Sequence, residues 1–337
     1  MSREVKLADG SVEILKDEFQ NLVDSDTRLS DSDGLFMQRQ LEFIEAQSYD
    51  VLYPDLEARE CFQTNTQGGA GITTLTFRSY DRVGKAQVIN ARATDLPKSD
   101  ISGKEYSCSV KSVGTSYDFD IDEIAAAQMA GMPLEARKAM ASRRGYEEFI
   151  NQAVWYGDSE GQFVGFFQNT EIAKNPVAGG AAAGGNTEWE KKTPDEVLFD
   201  LNEACGAMYS ATKKIHAPAE LWLPVKKWNY IRSTPRSPNS DKTILQYFLD
   251  NNQFIKNPDQ VKALNALEGQ GTGGTECFVI INQKTPEGTD TVRIREPLPL
   301  QYMPVQIHGM VYEVPGRGRF GGLQVIYPRA MDIWYGI

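Results

Sequence analysis

The chain has no run of apolar residues long enough to cross a bilayer. Of its 337 residues 41% are hydrophobic, yet no stretch approaches 18 in succession, so no membrane span is expected. The opening MSREVKLADGSVEILKDEF has no apolar segment of the kind a secretory leader carries. Histidine is nearly absent, with only His216 and His308. Cys61, Cys108, Cys205 and Cys277 are far apart and form no CxxC pair. That spacing gives a zinc site no support and points to buried or partly buried free thiols in a reducing compartment. The absence of any Asn-x-Ser/Thr sequon fits the same compartment. Positive charge is in deficit, 35 Lys and Arg against 46 Asp and Glu, a net −11. This argues against sequence-independent nucleic-acid binding by the molecule as a whole. It does not exclude enclosing nucleic acid, since a wall need only avoid adhering to its contents.

Catalytic signatures are missing too. There is no Walker A sequence and no GxSxG. Two GxGxxG matches occur, Gly269 to Gly274 and Gly316 to Gly321. A dinucleotide site needs a strand before the glycines and a helix after them. The first match follows a helical pattern and precedes a strand, and the second lies between strand patterns, so both are expected to be structural turns. Asp31 and Asp33 suggest a calcium loop, but Leu29 stands at the first ligand position and Gln40 where the bidentate Glu belongs. A solvated loop is expected there. Glu147 and Glu148 are adjacent and leave a helix in different directions, which suits no acid/base pair. No residue is assigned a catalytic, cofactor-binding or metal-ligating role, and no cofactor is expected.

The length allows one elaborate domain or two to three lobes. Residues 1–55 read as a polar arm, acidic and loop-like over 24–34, with a helix over 35–49 whose apolar positions are Leu41, Phe43 and Ile44. Leu75, Phe77 and Ser79 keep the two-residue period of a strand, residues 81–85 read as a turn, and residues 106–119 read as a second stranded segment. The intervening tract is charged and weakly apolar. Together these predict an extended hairpin with too little apolar surface to stand alone, which should lie on a neighbouring molecule. The basic side chains Arg78, Arg82, Lys85, Arg92 and Lys98 cluster in it. They serve solubility on one reading and complementary charge between neighbours, setting register more than affinity, on the other.

Next come a short helix capped by Asp120 or Asp122 and closed at Gly131, then a long helix over 132–157. Pro133 lies in its first turn, and Tyr146, Phe149, Ile150, Ala153 and Val154 share one face. Residues 174–192 look like a small-residue linker of low packing value. Thr193 to Glu196 is a capping box with Pro194 at the first helical position. A buried strand follows at 220–223, helices at 224–231 and 243–251, and a β-branched strand at 276–282. From Val292 onward the chain reads as strands.

The block DEIAAAQMAGMPLEARKAMASRRGYEEFINQAVWYGDSEGQFVGFFQNT, residues 122–170, resembles the spine-helix region of tailed-bacteriophage major capsid proteins. The order of parts resembles their HK97-type fold over essentially the whole chain. The tail YEVPGRGRFGGLQVIYPRAMDIWYGI resembles the closing strands of one subfamily. The resemblance implies an α+β architecture: an N-terminal arm (1–63), an extended β-hairpin loop (64–120), a peripheral domain with the spine helix (121–193), a mixed α/β axial domain (194–300) and C-terminal strands returning to the peripheral domain (301–337). It implies a non-enzymatic subunit that assembles into hexamers and pentamers, forming an icosahedral head shell around phage double-stranded DNA without sequence-specific binding. It also implies portal, scaffold or decoration proteins as partners, no membrane, and a virion protein assembled in the bacterial host cytoplasm. The inter-subunit contacts it suggests are Phe77, Arg78, Arg82, Lys85 and Arg92. An encapsulin, a shell of the same fold storing a cargo enzyme, is the alternative.

Overall fold

Period-2 burial along a few central strands organises the molecule, because it divides their side chains between two hydrophobic cores. The structure is a computed structural model that describes residues 53–86, 88, 98–131, 134–158, 160, 163–182, 184–271 and 274–337. Its contacts divide the chain after Pro54, and the strands and helices named here all belong to the unit Asp55–Ile337. The helix expected over 35–49, the acidic loop with Asp31 and Asp33, and Arg92 lie outside the described residues.

The chain enters through α1 (Ala58–Cys61) and β1 (Gln63–Asn65), followed by β2 (Thr74–Val83), β3 (Asp100–Ser109) and β4 (Lys111–Asp120). Helices α2 (Ile121–Ala130) and α3 (Leu134–Trp155) come next, then β5 (Ala173–Pro176), α4 (Pro194–Ala211), β6 (Glu220–Pro224), α5 (Val225–Ser233) and α6 (Ile244–Asn251). Strands close the sequence: β7 (Val261–Leu264), β8 (Cys277–Ile281), β9 (Val292–Arg295), β10 (Leu298–Tyr302), β11 (Gln306–His308), β12 (Val311–Phe320), β13 (Leu323–Val325) and β14 (Met331–Tyr335).

The central sheet has the order β5-β14-β8-β6-β7. Every residue of β8 is buried. Cys277, Val279 and Ile281 enter one core, while Phe278 and Ile280 enter the other. The first core packs the C-terminal half of α3 (Tyr146, Ile150, Ala153, Val154, Trp155) against Phe62, Phe166 and Trp222, aromatic rings whose contacts are mostly tilted or edge-on. The second core lies under α4, which contributes Val197, Leu198, Leu201, Ala204, Cys205 and Met208. A sheet covered on both faces needs strands apolar in both directions, and the runs at 220–224 and 277–281 supply them. The last strand, β14, lies between β5 and β8 in this sheet rather than with the strands just before it.

The expected caps are present. Thr193 Oγ1 accepts from the Glu196 N–H, and Glu196 Oε2 accepts from the Thr193 N–H at 2.9 Å, closing the box ahead of Pro194. Asp120 is the N-cap of α2, and Gly131 ends it in the left-handed region at φ 67°. The long helix has 22 residues, about 33 Å at 1.5 Å per residue, and gives way to Gly157 at φ 79°.

Four expectations need correction. Residues 81–83 are no turn: they extend β2, with Asp81, Arg82 and Val83 opposite Ser102, Ile101 and Asp100. The stretch 106–119 is two strands that part at the buried Val110. Strand β3 pairs with β2, whereas β4 pairs along its length with β12, from Lys111↔Phe320 to Asp120↔Val311. Residues 174–192 are not loosely packed, since β5 pairs with β14 and both Val177 and Trp189 enter the second core. Finally, Gly316 and Gly318 lie inside β12 rather than in a turn. A Cβ at Gly318 would collide with Tyr146 Oη, so the missing side chain lets α3 press onto the strand.

Candidate inter-subunit surface

Strands β2 and β3 form a two-stranded antiparallel ribbon, in register from Thr74↔Ser109 to Val83↔Asp100. Ten residues of strand span about 33 Å. Among the described residues no further strand joins it, and β3 is exposed at every position but Cys108. Alternation sorts its side chains. One face carries Leu75, Phe77 and Ser79 opposite Cys108, Tyr106 and Lys104. The other carries Arg78, Tyr80 and Arg82 opposite Glu105, Gly103 and Ile101.

Two cross-strand pairs stiffen it. The rings of Phe77 and Tyr106 stack at 5.1 Å and 16°, and Arg78 Nε donates to Glu105 Oε1 at 2.7 Å. The ion pair is open to solvent and contributes little, roughly 0–1 kcal/mol. Tyr80 lies over Gly103, whose missing Cβ would meet the ring at 3.4 Å.

The base of the ribbon is anchored in the body. Val110 N–H donates to Thr73 O at 2.8 Å, and Arg319 Nη1 to Ile72 O at 2.7 Å. Nearby, Arg59 bridges two carboxylates, with Nε 2.5 Å from Glu147 Oε2 and Nη1 2.8 Å from Glu296 Oε2. Tyr146 Oη donates to Glu296 Oε1 at 2.9 Å. Glu296 is 2% exposed, and its counter-charge there is Arg59. Burial alone would lower the Arg59 pKa, but hydrogen bonds and charge from both carboxylates outweigh it and hold it above the usual value. Burial, reinforced by the Glu296 charge, raises the Tyr146 phenol. These ties join α1, α3 and the segment after β9 beneath the ribbon.

Of the five residues singled out in the sequence, the structure brings Phe77, Arg78 and Arg82 onto one ribbon. Phe77 is half-buried under Tyr106, Arg78 is paired with Glu105, and Arg82 is exposed toward the distal end. Lys85 is exposed just beyond β2, and Arg92 lies outside the described residues. Sequence reasoning missed the exposed apolar members Tyr80, Ile101 and Tyr106. It also missed a second exposed apolar set around β11, namely Met303, Val305, Ile307 and Met310. The i, i+2 spacing of Val305 and Ile307 was the available signal. Next to them, α2 has no buried residue and lines a groove of about 580 Å³ with Phe119, Ile124, Leu134, Val305 and Tyr312.

Elsewhere the polar groups look structural. Lys192 and Asp200 pair at 2.6 Å, 1% and 3% exposed. Burial raises the Asp200 pKa, with Lys192 and the Trp189 N–H opposing it. Glu147 and Glu148 pair separately, with Arg59 and Arg144. His308 is exposed and His216 is buried, with no partner for Nδ1 among the described residues. The four cysteines are free thiols, and burial pushes Cys61, Cys205 and Cys277 up to about 12, which makes them unreactive. Among the described residues no three His, Cys, Asp or Glu side chains converge as metal ligands, and no helix is long and apolar enough to cross a membrane.

Comparison with known proteins agrees with this architecture. No curated protein matches the sequence. The capsid of Myoviridae phage XM1 is similar in structure, with a TM-score of 0.71 at 18% identity, covering 90% of this chain and 99% of that one. The capsid of a native GTA particle aligns with a TM-score of 0.58 at 12% identity over 91% and 99% of the two chains. A structure from Mycobacterium phage Bobi gives 0.55 at 12% identity over 91% and 98%. At such identities these show a shared fold. The sequence family described as major capsid protein matches residues 84–337, so the chain belongs to the major capsid protein family.

Proposed function

We propose that copies of this chain tile an icosahedral shell as hexamers and pentamers, each laying its β2–β3 ribbon on the adjacent copy. The observation that carries this is the ribbon itself: about 33 Å of paired strand that no further strand joins among the described residues and whose second strand is almost wholly exposed. A lone two-stranded ribbon is marginal in water, so it gains its missing layer from a neighbour. On this reading Phe77, Tyr80, Ile101 and Tyr106 supply apolar contact, and Arg78, Arg82, Lys85 and Arg92 set register by charge. The helix α3 acts as the spine of a peripheral lobe, and the segment around α4–α6 as the axial lobe. Many modest contacts repeated around a closed shell add up by multivalency. The role is structural rather than catalytic.

The shell encloses double-stranded DNA without reading its sequence, in keeping with the net charge of −11. Portal, scaffold or decoration proteins complete it, assembly occurs in the bacterial host cytoplasm, and the product resides in the virion. The solved relatives are capsids of phage or GTA particles, which favours a phage head over an encapsulin. Limited proteolysis tests the ribbon's role. Cleavage within 74–109 is expected to be fast in unassembled subunits and suppressed in shells. Equal cleavage in both states would overturn the reading.

A further inference from the structure

Two pairs of buried charges in this body offset each other, Lys192 with Asp200 and Glu296 with Arg59. One cluster instead brings two cations together. The small sheet β1-β9-β13 alternates like the others. Val292 and Ile294 of β9 enter the first core, so Arg293 and Arg295 point to the opposite face. Their register partners there are Gln63, Asn65 and Gln324. Gln324 Oε1 accepts from both guanidiniums, from Arg293 Nε at 3.0 Å and Arg295 Nε at 2.7 Å. Arg295 Nη1 reaches Asn65 Oδ1 at 2.5 Å. Two cations therefore share one neutral oxygen, and neither has a carboxylate partner among the described residues. Arg295 is 7% exposed and Gln324 4% exposed, and Gln324 Nε2 has no partner among the described residues.

An arginine cannot escape such a position by losing its proton. Leaving a buried charge uncompensated is strongly destabilising, and two like charges on one acceptor add repulsion. Burial and the Arg293 charge do lower the Arg295 pKa. Asn65 and Gln324 satisfy three of the donors, but they bring no negative charge. Among the described residues Arg293 keeps both Nη nitrogens unengaged, a fork of the shape that receives a carboxylate with two parallel hydrogen bonds, and Arg295 keeps Nη2 beside it.

We infer that this face of β1-β9-β13 is a seat for a carboxylate side chain contributed by a neighbouring copy of the chain. The inference rests on the reading that copies tile into a shell. A second copy is a rich source of the missing charge, since acidic residues outnumber basic ones by 46 to 35. The face can be reached from outside: Arg295 and Gln324 are covered, but Arg293 is half-buried and Gln63 exposed. A phosphate of enclosed nucleic acid has related chemistry. Phosphate backbones, however, are bound by broad basic surfaces, whereas this is a recessed pair framed by amides. The seat completes each subunit's charge balance only on assembly and so couples folding quality to shell closure.

Arg293→Gln tests it with little disturbance to the fold, because Arg293 is the more open of the two. The unassembled variant is expected to melt at or above the wild-type temperature, since a like charge is removed. The subunit concentration needed for assembly, read by sedimentation, is expected to rise about tenfold, the effect of losing one coupled charge pair. Ribbon protection from protease should persist in whatever shells form, which separates this claim from that of the ribbon. An unchanged assembly concentration would overturn the seat. A cryo-EM map of the wild-type shell decides independently of any variant. A neighbour's carboxylate oxygen about 2.7–2.9 Å from Arg293 or Arg295 nitrogens is expected. Guanidiniums facing only solvent, or a nucleic-acid phosphate, would refute it.

Discussion

Phe77 and Phe278 make nearly the same local contact in two regions with different physics. Each faces an aromatic side chain directly across an antiparallel pair, Tyr106 and Trp334 respectively. Each stacks on it at 16°, with centroids 5.1 Å apart in the ribbon and 6.2 Å in the central sheet. The difference lies in the layer behind. Phe278 is fully buried, with Trp189 at 5.6 Å and α4 beyond, whereas Phe77 stays half-open on a ribbon that has no covering layer among the described residues. Strand hydrogen bonds exist in both regions, so the ladder is not what makes a strand self-sufficient. The second apolar layer is. The body holds both layers in one chain. Among the described residues the ribbon holds one.

The largest effect expected from this contrast is in the body. Phe278→Ala should cost about 3–5 kcal/mol of subunit stability, through lost transfer energy and the cavity left among Trp189, Trp334 and α4. Denaturant unfolding of the unassembled subunit would read it directly. A loss below about 1 kcal/mol would mean that the sheet does not carry the stability assigned to it.

The same strand that carries Trp334 also carries a liability. Asp332 is buried, and burial pushes its carboxyl from the ordinary 3.8 up to about 6. The folded state thus prefers the neutral acid. Its contribution is fully present below the unfolded pKa and is lost as pH rises through the folded one. By linkage the penalty at neutral pH approaches about 3 kcal/mol. Asp332→Asn should therefore stabilise the subunit at pH 7 by up to that amount, with the gain vanishing below about pH 4. Melting at the two pH values checks this, and an equal gain at both would show that charge burial is not the cause.

Both regions were legible in the sequence to different depths. The central strands announced themselves through unbroken apolar runs, and α4 through Thr193, Pro194 and Glu196, because those signals are local. The ribbon's first strand was legible from the alternation of Leu75, Phe77 and Ser79. Its end was misplaced because Asp81 and Arg82 resemble turn residues, and only pairing with Ser102 and Ile101 keeps them extended. Partition of 106–119 into two strands was invisible, since β4 finds its partner β12 almost two hundred residues away. A similarly long separation hid Gly318, which reads as a loop glycine until Tyr146 is seen pressed against it. Arg293 and Arg295 drew no notice because alternation of Val, Arg, Ile and Arg is an ordinary half-exposed strand. Their lack of a counter-charge among the described residues becomes visible only once Gln324 and Asn65 stand beside them.

The smallest effect on the isolated subunit sharpens the comparison most. Phe77→Ala removes the ribbon's cross-strand stack, and with no covering layer only the pair energy is lost, about 0.2–1 kcal/mol. Because the ribbon adds little to the body, the unfolding midpoint of the unassembled chain should hardly move, in contrast to Phe278→Ala. The shell should feel the change more. A ribbon face flattened at Phe77 offers a neighbour less apolar area, and each copy repeats the loss. Assembled Phe77→Ala shells are expected to dissociate at lower denaturant than wild type while their subunits unfold alike. Should the two substitutions depress subunit stability equally, the ribbon would be part of the body's own fold and the distinction between a completed and an uncompleted region would fail.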